Sequence, residues 1–293
     1  MTAATPATPP ESAGVQAQPL PGSKDDLTDV FQRVSSVMYR ISGVNLTEGK
    51  RELVRARLSK RMRILGWQTF TEYVDFVESE AGREELAQMV DVLTTNKTNF
   101  FRELPHFSFL RDRVFPEFLD SREPLRIWSA GCSSGEEPYS LAILARQVFK
   151  DFSRYDIRIL ATDLSRTALA RARAGVYSEA QMDGVPQDLR RESFDATVDP
   201  VSGQSRYRVR EEVRSLVTLA PLNLMERWPM KGPFHVILCR NVMIYFDRAT
   251  REALIQRFTQ LLPTGGFLMV GHSESLNGLA HELKYIQPAV YGK

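Results

Sequence analysis

Between Leu27 and Leu93 the apolar residues recur at helical spacing. Leu27, Phe31, Val34, Met38 and Ile41 form one stripe, Val54, Leu58, Met62 and Leu65 a second, and Leu86, Met89, Val90 and Leu93 a third. Apolar positions three and four residues apart mark helices that bury one face, so this segment predicts a small domain of about four helices. From Leu125 the rhythm changes. Leu125 to Ala130 is a short apolar run ending at Gly131, and Glu136 to Phe152 reads as a helix. Ile157 to Thr162 is a second strand ending at Asp163, followed by a helix over Arg166 to Ala174. Leu216 to Leu219 and Phe234 to Cys239 are further strands, Asp247 caps a helix through Leu262, and Gly266 to Gly271 is another strand. This alternation predicts an α/β fold: a doubly wound, largely parallel sheet with helices on both faces. Such sheets bind ligands at the carboxyl ends of their strands, where the direction of connection switches.

Two stretches depart from the alternation. Glu192 to Val198 and Tyr207 to Val213, joined by Asp199-Pro200-Val201-Ser202-Gly203, read as an antiparallel hairpin, part of an insert over about 178–214. Residues 1–25 hold five prolines and no periodic apolar pattern, which predicts a disordered tail. The expected domains are therefore a tail over 1–25, a helical domain over 26–98 and an α/β domain over 99–293.

Composition narrows the class only a little. Apolar residues make up 43% and charged residues 25%, as in ordinary globular proteins, and a net charge of +2 points to no particular partner. The two cysteines and four histidines lack any metal-ligand spacing, so no metal is expected. No run approaches the roughly 18 apolar residues of a membrane span, and the first residues lack a secretory pattern, so a cytoplasmic protein is expected. Charge distribution says more than the total. Lys50, Arg51, Arg55, Arg57, Lys60, Arg61 and Arg63 crowd one helix, with Glu52 the lone acid among them. That run is either a solvated face or a docking surface for an acidic partner. No aromatic interleaving accompanies it, which argues against nucleic acid.

The candidate chemistry begins at the loop Ser129-Ala130-Gly131-Cys132-Ser133-Ser134-Gly135-Glu136-Glu137. Its glycines allow backbone to approach a ligand at a helix N-terminus. The same residues match G-x-S-x-G, a nucleophile elbow in which Ser133 would act with Asp163 or Asp247 and then His272. A plain tight turn is the third reading. Asp163, at the end of the second strand, stands where an acid grips a ribose diol, though it could also cap the following helix. Loop and acid together favour a nucleotide-type cofactor. The elbow would also stand on the first strand of the sheet, whereas a hydrolase carries several strands before it.

At this point the sequence resembles the CheR-type chemotaxis receptor methyltransferases. The resemblance rests on Thr94-Thr95-Asn96-Lys97-Thr98-Asn99-Phe100-Phe101-Arg102-Glu103, Ser129 to Ser140, and Ala161-Thr162-Asp163. Cys239-Arg240-Asn241-Val242-Met243-Ile244-Tyr245-Phe246-Asp247 and Gly271-His272-Ser273-Glu274 complete it, and it runs from about residue 27 to the C-terminus. It implies a class I methyltransferase sheet with S-adenosylmethionine as cofactor, S-adenosylhomocysteine as product and receptor glutamates as acceptors. It further implies that Asn96, Thr98 and Arg102 close over the cofactor and that Glu136 lies near its methionine amino group. Asp163 would take the ribose, Asn223 and Leu224 the adenine side, and Arg240 and Asn241 the region beneath the sulfonium. Arg102 and Tyr245 become the candidate catalytic residues; the alternative reading of Arg240 is a simple pair with Asp247. The partners implied are receptor cytoplasmic helices, held by the basic helix Lys50 to Arg63, and a receptor C-terminal peptide on the inserted β subdomain. A serine hydrolase using Ser133 and a non-catalytic receptor-binding adaptor are the alternatives.

Overall fold

The structure is a computed structural model describing residues 24–121 and 123–293. The tail expected over 1–25 lies outside the described residues except for its last two positions, and the Leu27 side chain lies outside them as well. Four helices come first: α1 (Lys24–Ser42), α2 (Arg51–Leu65), α3 (Phe70–Glu78) and α4 (Arg83–Leu93). The stripes read from sequence meet in one core, where Val34, Met38, Leu58, Met62 and Met89 are fully enclosed. Each such side chain contributes on the order of 1.5–3 kcal/mol by leaving water. Leu65 is the exception. It is 42% exposed, because α2 ends there against Gly66, whose left-handed conformation (φ 81°) turns the chain away.

After Glu103 the chain forms α5 (Leu104–Phe109), which passes through a π turn at Leu110–Val114 into α6 (Phe115–Ser121). The sequence pattern gave no sign of this helical stretch. The α/β domain then runs β1 (Leu125–Ala130), α7 (Glu136–Val148), β2 (Ile157–Asp163) and α8 (Arg166–Ala174). The inserted subdomain holds β3 (Val176–Ser178), α9 (Gln187–Ser193), β4 (Phe194–Val198), β5 (Ser205–Val209) and α10 (Glu211–Arg214). The main sheet resumes with β6 (Val217–Pro221), β7 (Val236–Cys239), α11 (Arg248–Leu261), β8 (Phe267–Val270), β9 (Lys284–Gln287) and β10 (Val290–Gly292).

Among the described residues two sheets form, ordered β6-β2-β1-β7-β8-β10-β9 and β3-β5-β4. In the first, β6, β2, β1, β7 and β8 are parallel, and β10 runs against both of its neighbours. The chain winds outward from β1 through β2 to β6, then returns to β7 on the other side of β1. The switch in direction therefore lies between β1 and β7, the crevice where ligands bind in this architecture. Side-chain alternation divides the strands between two cores. Ile127, Ile159 and Leu238 face α7, whereas Trp128, Ile237 and Leu268 face Leu254, Ile255 and Phe258 of α11. The indole N–H of Trp128, fully buried, donates to the Thr162 hydroxyl at 2.9 Å, so its burial leaves no unmet donor.

The antiparallel insert is present, with differences from its reading in the sequence: Glu192 and Ser193 close α9, so β4 starts at Phe194, and β5 starts at Ser205. A third strand, β3, joins the hairpin, and β5 stops at Val209, after which Glu211–Arg214 turn into a helix. The helix read over Glu136 to Phe152 ends at Val148, because Phe149 leaves the helical conformation and packs into the core.

The helical domain is tied to the α/β domain by polar contacts. Asn45 N–H donates to the Tyr245 carbonyl at 2.8 Å, the Asn223 amide to the Ile41 carbonyl at 2.6 Å, and the Tyr39 hydroxyl to Asp247 at 2.6 Å. Its own interior holds one charged pair. Arg61 forks onto Glu85 at 2.8 and 2.5 Å, and the buried Tyr73 hydroxyl donates to the same carboxylate at 2.8 Å. Removing one partner of such a pair strands the other charge. Arg61→Ala should therefore destabilise the protein by about 2–4 kcal/mol in urea unfolding followed by circular dichroism. Arg55→Ala, at a position 54% exposed, should stay within about 0.5 kcal/mol. Equal midpoints for the two variants would remove the structural role of the Arg61–Glu85 pair.

Candidate active site

One cavity opens at the carboxyl ends of β1, β2, β6 and β7, and the helical domain supplies its opposite wall. Its floor begins with the loop after β1. Gly131 and Cys132 donate their backbone N–H groups to the Thr162 carbonyl at 2.8 and 2.9 Å, pinning the loop to β2. Gly131 adopts φ 86°, and a Cβ there would stand 2.4 Å from the Val242 side chain. Both the conformation and the contact demand glycine.

Asp163 sits on the cavity wall, 8% exposed. Each carboxylate oxygen accepts one backbone N–H, from Ser133 at 2.7 Å and from Ser165 at 2.8 Å. Burial pushes its pKa up, opposed by those two bonds. A carboxylate oxygen accepts about two hydrogen bonds, so each keeps a site for a further donor. A fixed, enclosed carboxylate with one spare acceptor on each oxygen matches the two hydroxyls of a ribose. The helix-capping alternative falls away, because the Ser165 hydroxyl caps α8 by accepting from Ala168 N–H.

The Ser133 hydroxyl donates to the Asn96 carbonyl at 3.0 Å, across to the interdomain linker. Among the described residues no histidine bonds it, and His272 instead packs against His106 with ring centroids 5.0 Å apart. Ser133 therefore holds the linker down and has no hydrolase triad around it.

Arg240, at the end of β7, is 6% exposed and lies between two acids. It donates to Glu137 at 2.8 Å, to Glu103 at 3.0 Å, and to the Arg102 carbonyl. The pairing with Asp247 considered from sequence does not occur. Asp247 caps α11 by accepting from Thr250 N–H at 2.8 Å, besides its bond to Tyr39. Burial opposes ionisation of Glu103, but the Arg240 guanidinium prevails and holds its carboxyl below the ordinary range. His106, enclosed behind Arg240, is driven down to about 4 by burial and by that same cation.

Nine of the sequence candidates line this one cavity: Asn96, Thr98, Arg102, Asp163, Asn223, Leu224, Arg240, Asn241 and Tyr245. Glu136 is the exception. Its carboxylate accepts from Ser134 at 2.7 Å and from Gln181 at 3.0 Å, beneath the loop and off the cavity wall. Its neighbour Glu137 lines the cavity instead, bonded to the Ser129 hydroxyl at 2.7 Å and to Arg240. Sequence reasoning missed Glu137 and Glu274. The latter gathers the N–H groups of Asn241, Ile244 and Gly271 at 2.8, 3.0 and 2.6 Å, joining the loop after β7 to the loop after β8. The acid closing the Gly271-His272-Ser273-Glu274 run was the available signal for it.

The mouth of the cavity is cationic. Arg102 spends one N–H on the Lys97 carbonyl at 3.0 Å and keeps its other donors. Lys50 extends over the Tyr245 ring, 4.8 Å from its centroid. The rest of the basic cluster divides. Arg57 caps α4 through the Val92, Leu93 and Thr94 carbonyls, Arg51 pairs with Glu48, and Arg61 is bound to Glu85. Arg55 holds only a loose 3.8 Å pair with Glu52, and Lys60 and Arg63 are exposed with no ion pair among the described residues.

Comparison with known proteins agrees with this architecture. The family described as "CheR methyltransferase, all-alpha domain" matches residues 29–94, and "CheR methyltransferase, SAM binding domain" matches residues 96–291. A probable chemotaxis protein methyltransferase of Rhizobium etli is 45% identical over 247 residues, which cover 83% of this chain and 91% of the relative. The chemotaxis protein methyltransferase of Borreliella burgdorferi is 38% identical over 90% of this chain and 94% of its own. That of Escherichia coli is 38% identical over 89% of each chain. The chain belongs to the CheR methyltransferase family.

Proposed function

We propose that this protein transfers a methyl group from S-adenosylmethionine to glutamate side chains of chemotaxis receptors, forming methyl esters and releasing S-adenosylhomocysteine. The observation that carries the reading is a single cavity lined by an enclosed carboxylate, Asp163, and by the cations Arg102 and Lys50, the latter over the Tyr245 ring. When bound, the cofactor supplies an electrophilic methyl group on a sulfonium. The donor set suits it. Asp163 offers two acceptors for a ribose, and the apolar side chains of Leu164, Leu222 and Leu224 offer a bed for a purine.

An acceptor glutamate, with a reference pKa of about 4.3, is ionised near neutrality and is already the nucleophile. No general base is needed. The protein's work is to align the acceptor oxygen and to exclude water. In this reading the free donors of Arg102 hold one carboxylate oxygen, and the Tyr245 hydroxyl, on the cavity wall, offers a second hydrogen bond. Arg240 fixes the Arg102 backbone through its carbonyl and so positions that fork. Glu136 keeps the role implied by family resemblance only through the loop it supports.

The receptor helix would meet Arg55, Lys60 and Arg63, the cations of α2 that no structural ion pair consumes. A receptor C-terminal peptide would add to the outer edge of β4, one of the two edge strands of the small sheet. Such a tether raises local concentration without altering the chemistry.

Asp163→Ala should weaken S-adenosylhomocysteine binding by about 1–3 kcal/mol in calorimetric titration, the range for losing hydrogen bonds to a charged group. Ser133→Ala should leave methylation largely intact. Unchanged affinity in a folded Asp163 variant would take this carboxylate out of the site. Arg102→Ala should lower turnover at saturating cofactor far more than it lowers receptor affinity, and lysine should restore little, because a point charge cannot replace the fork. Wild-type turnover in the alanine variant would end that assignment. Joint reversal of Arg55, Lys60 and Arg63 to Glu should slow receptor methylation, and make it less salt-sensitive, while cofactor affinity stays constant. Deleting the receptor's last few residues should slow methylation at low enzyme concentration and matter less at high concentration. Rates indifferent to both changes would leave α2 and β4 without a docking role.

A further inference from the structure

Behind Arg240, on the side away from the cavity, three residues from two distant parts of the chain converge. Glu103 and His106 stand on the first turn of α5, and His272 lies on the loop after β8. One ligand atom from each lies within 4.8 Å of the others. From these atoms we infer that Glu103, His106 and His272 form a binding site for a divalent transition-metal ion of the zinc class.

The first observation is the donor set. A carboxylate and two imidazoles are common ligands of zinc-like ions, and three protein ligands leave a fourth position for water. Ligand atoms around a tetrahedral zinc stand roughly 3.3 Å apart, from bond lengths of about 2.0–2.1 Å. Glu103 Oε2 and His106 Nδ1 are already 3.5 Å apart. His272 is exposed and its ring packs beside His106, with centroids 5.0 Å apart.

The second observation is His106 itself. It is completely buried, and neither ring nitrogen makes a well-formed hydrogen bond among the described residues: Glu103 Oε2 stands 3.5 Å from Nδ1, and the Ala289 backbone is the other polar neighbour. A buried polar group left poorly paired is destabilising, so this enclosed imidazole calls for an explanation. A metal on one nitrogen answers it, and the Ala289 backbone beside the ring suits the outer hydrogen bond that metal-bound histidines make through the other.

The third observation is how Glu103 is held. It carries φ 61°, the left-handed region that costs a residue with a Cβ, and its side chain makes no capping bond to the helix it precedes. The carboxylate is turned inward instead. Oε2, the oxygen nearest His106, also accepts from Arg240 at 3.0 Å, and Oε1 lies 3.5 Å from the Asn241 amide. Ligating carboxylates are commonly supported by such outer hydrogen bonds. Nor does Arg240 make the neighbourhood repel a cation. Glu103 and Glu137 both pair with it, two formal negative charges against one positive.

A metal here would fasten the start of α5 to the loop after β8. It would thereby hold the Arg102–Glu103 turn from the side opposite the cavity. The test uses tag-free full-length protein, stripped with a chelator and titrated with Co²⁺. Saturable one-to-one visible absorption of the kind a four-coordinate site gives is expected. His272→Ala, an exposed position, should weaken it at least tenfold while S-adenosylhomocysteine binding reports an intact fold. Glu103→Gln should weaken it as well. Absence of saturable Co²⁺ absorption in the wild type would overturn the site, as would equal Co²⁺ affinity in wild type and His272→Ala. Either result would reduce the cluster to a packed histidine pair beside an ion pair, and neither would touch the methyl-transfer reading.

Discussion

The rest of the site hangs on one buried cation. Arg240 brings a guanidinium into the interior at the end of β7, where desolvation costs several kcal/mol unless the charge is fully met. Glu137 from α7 and Glu103 from the linker meet it, together with the Arg102 carbonyl. Three elements far apart in sequence are thereby held at one point. Loss of the cation would leave two enclosed carboxylates facing each other, a worse state than loss of either acid. The arrangement is rigid for that reason, and it sets the position of the cavity's cationic mouth.

The cavity also belongs to two domains at once. Residues 42–54 and 93–98 contribute one wall, and the strand ends contribute the other. The hydrogen bonds between them include Asn45 to Tyr245, Asn223 to Ile41, Tyr39 to Asp247 and Thr167 to Asp91. Apolar contacts join them as well, with Val44 packed against the α/β core and Leu164 against the helical one. The Ser133 bond to the Asn96 carbonyl adds a latch at the linker.

Much of this was legible in the sequence because it was local. Apolar spacing marked the helical core, and the run from Ile157 to Asp163 marked both a strand and the acid at its end. What escaped was non-local or lacked a pattern. The strands β9 and β10 are four and three residues long, too short for an alternation to stand out. Glu136 and Glu137 are adjacent acids on a helix buried on nearly every side, at 1% and 9% exposure, so periodicity could not say which faces the cavity. The family resemblance pointed to Glu136, whereas the roughly 100° between successive helical positions brings Glu137 to the wall. Asp247 looked like the partner of Arg240 because it is seven residues away, yet the true partners are 103 and 137 residues distant. The basic cluster shows the same limit. Composition counted seven cations, and only packing revealed that Arg57 and Arg61 are committed to carbonyls and to Glu85.

The bond from Asn45 N–H to the Tyr245 carbonyl has a thermodynamic consequence. It joins the loop just ahead of α2 to the turn that carries Tyr245, so the charged helix and the cavity wall move as neighbours. Anything that favours the closed spacing of the two domains at one of these places favours it at the other. A small molecule filling the cavity and a protein helix lying along α2 would then each raise the other's affinity by the same factor, since coupling free energies are reciprocal.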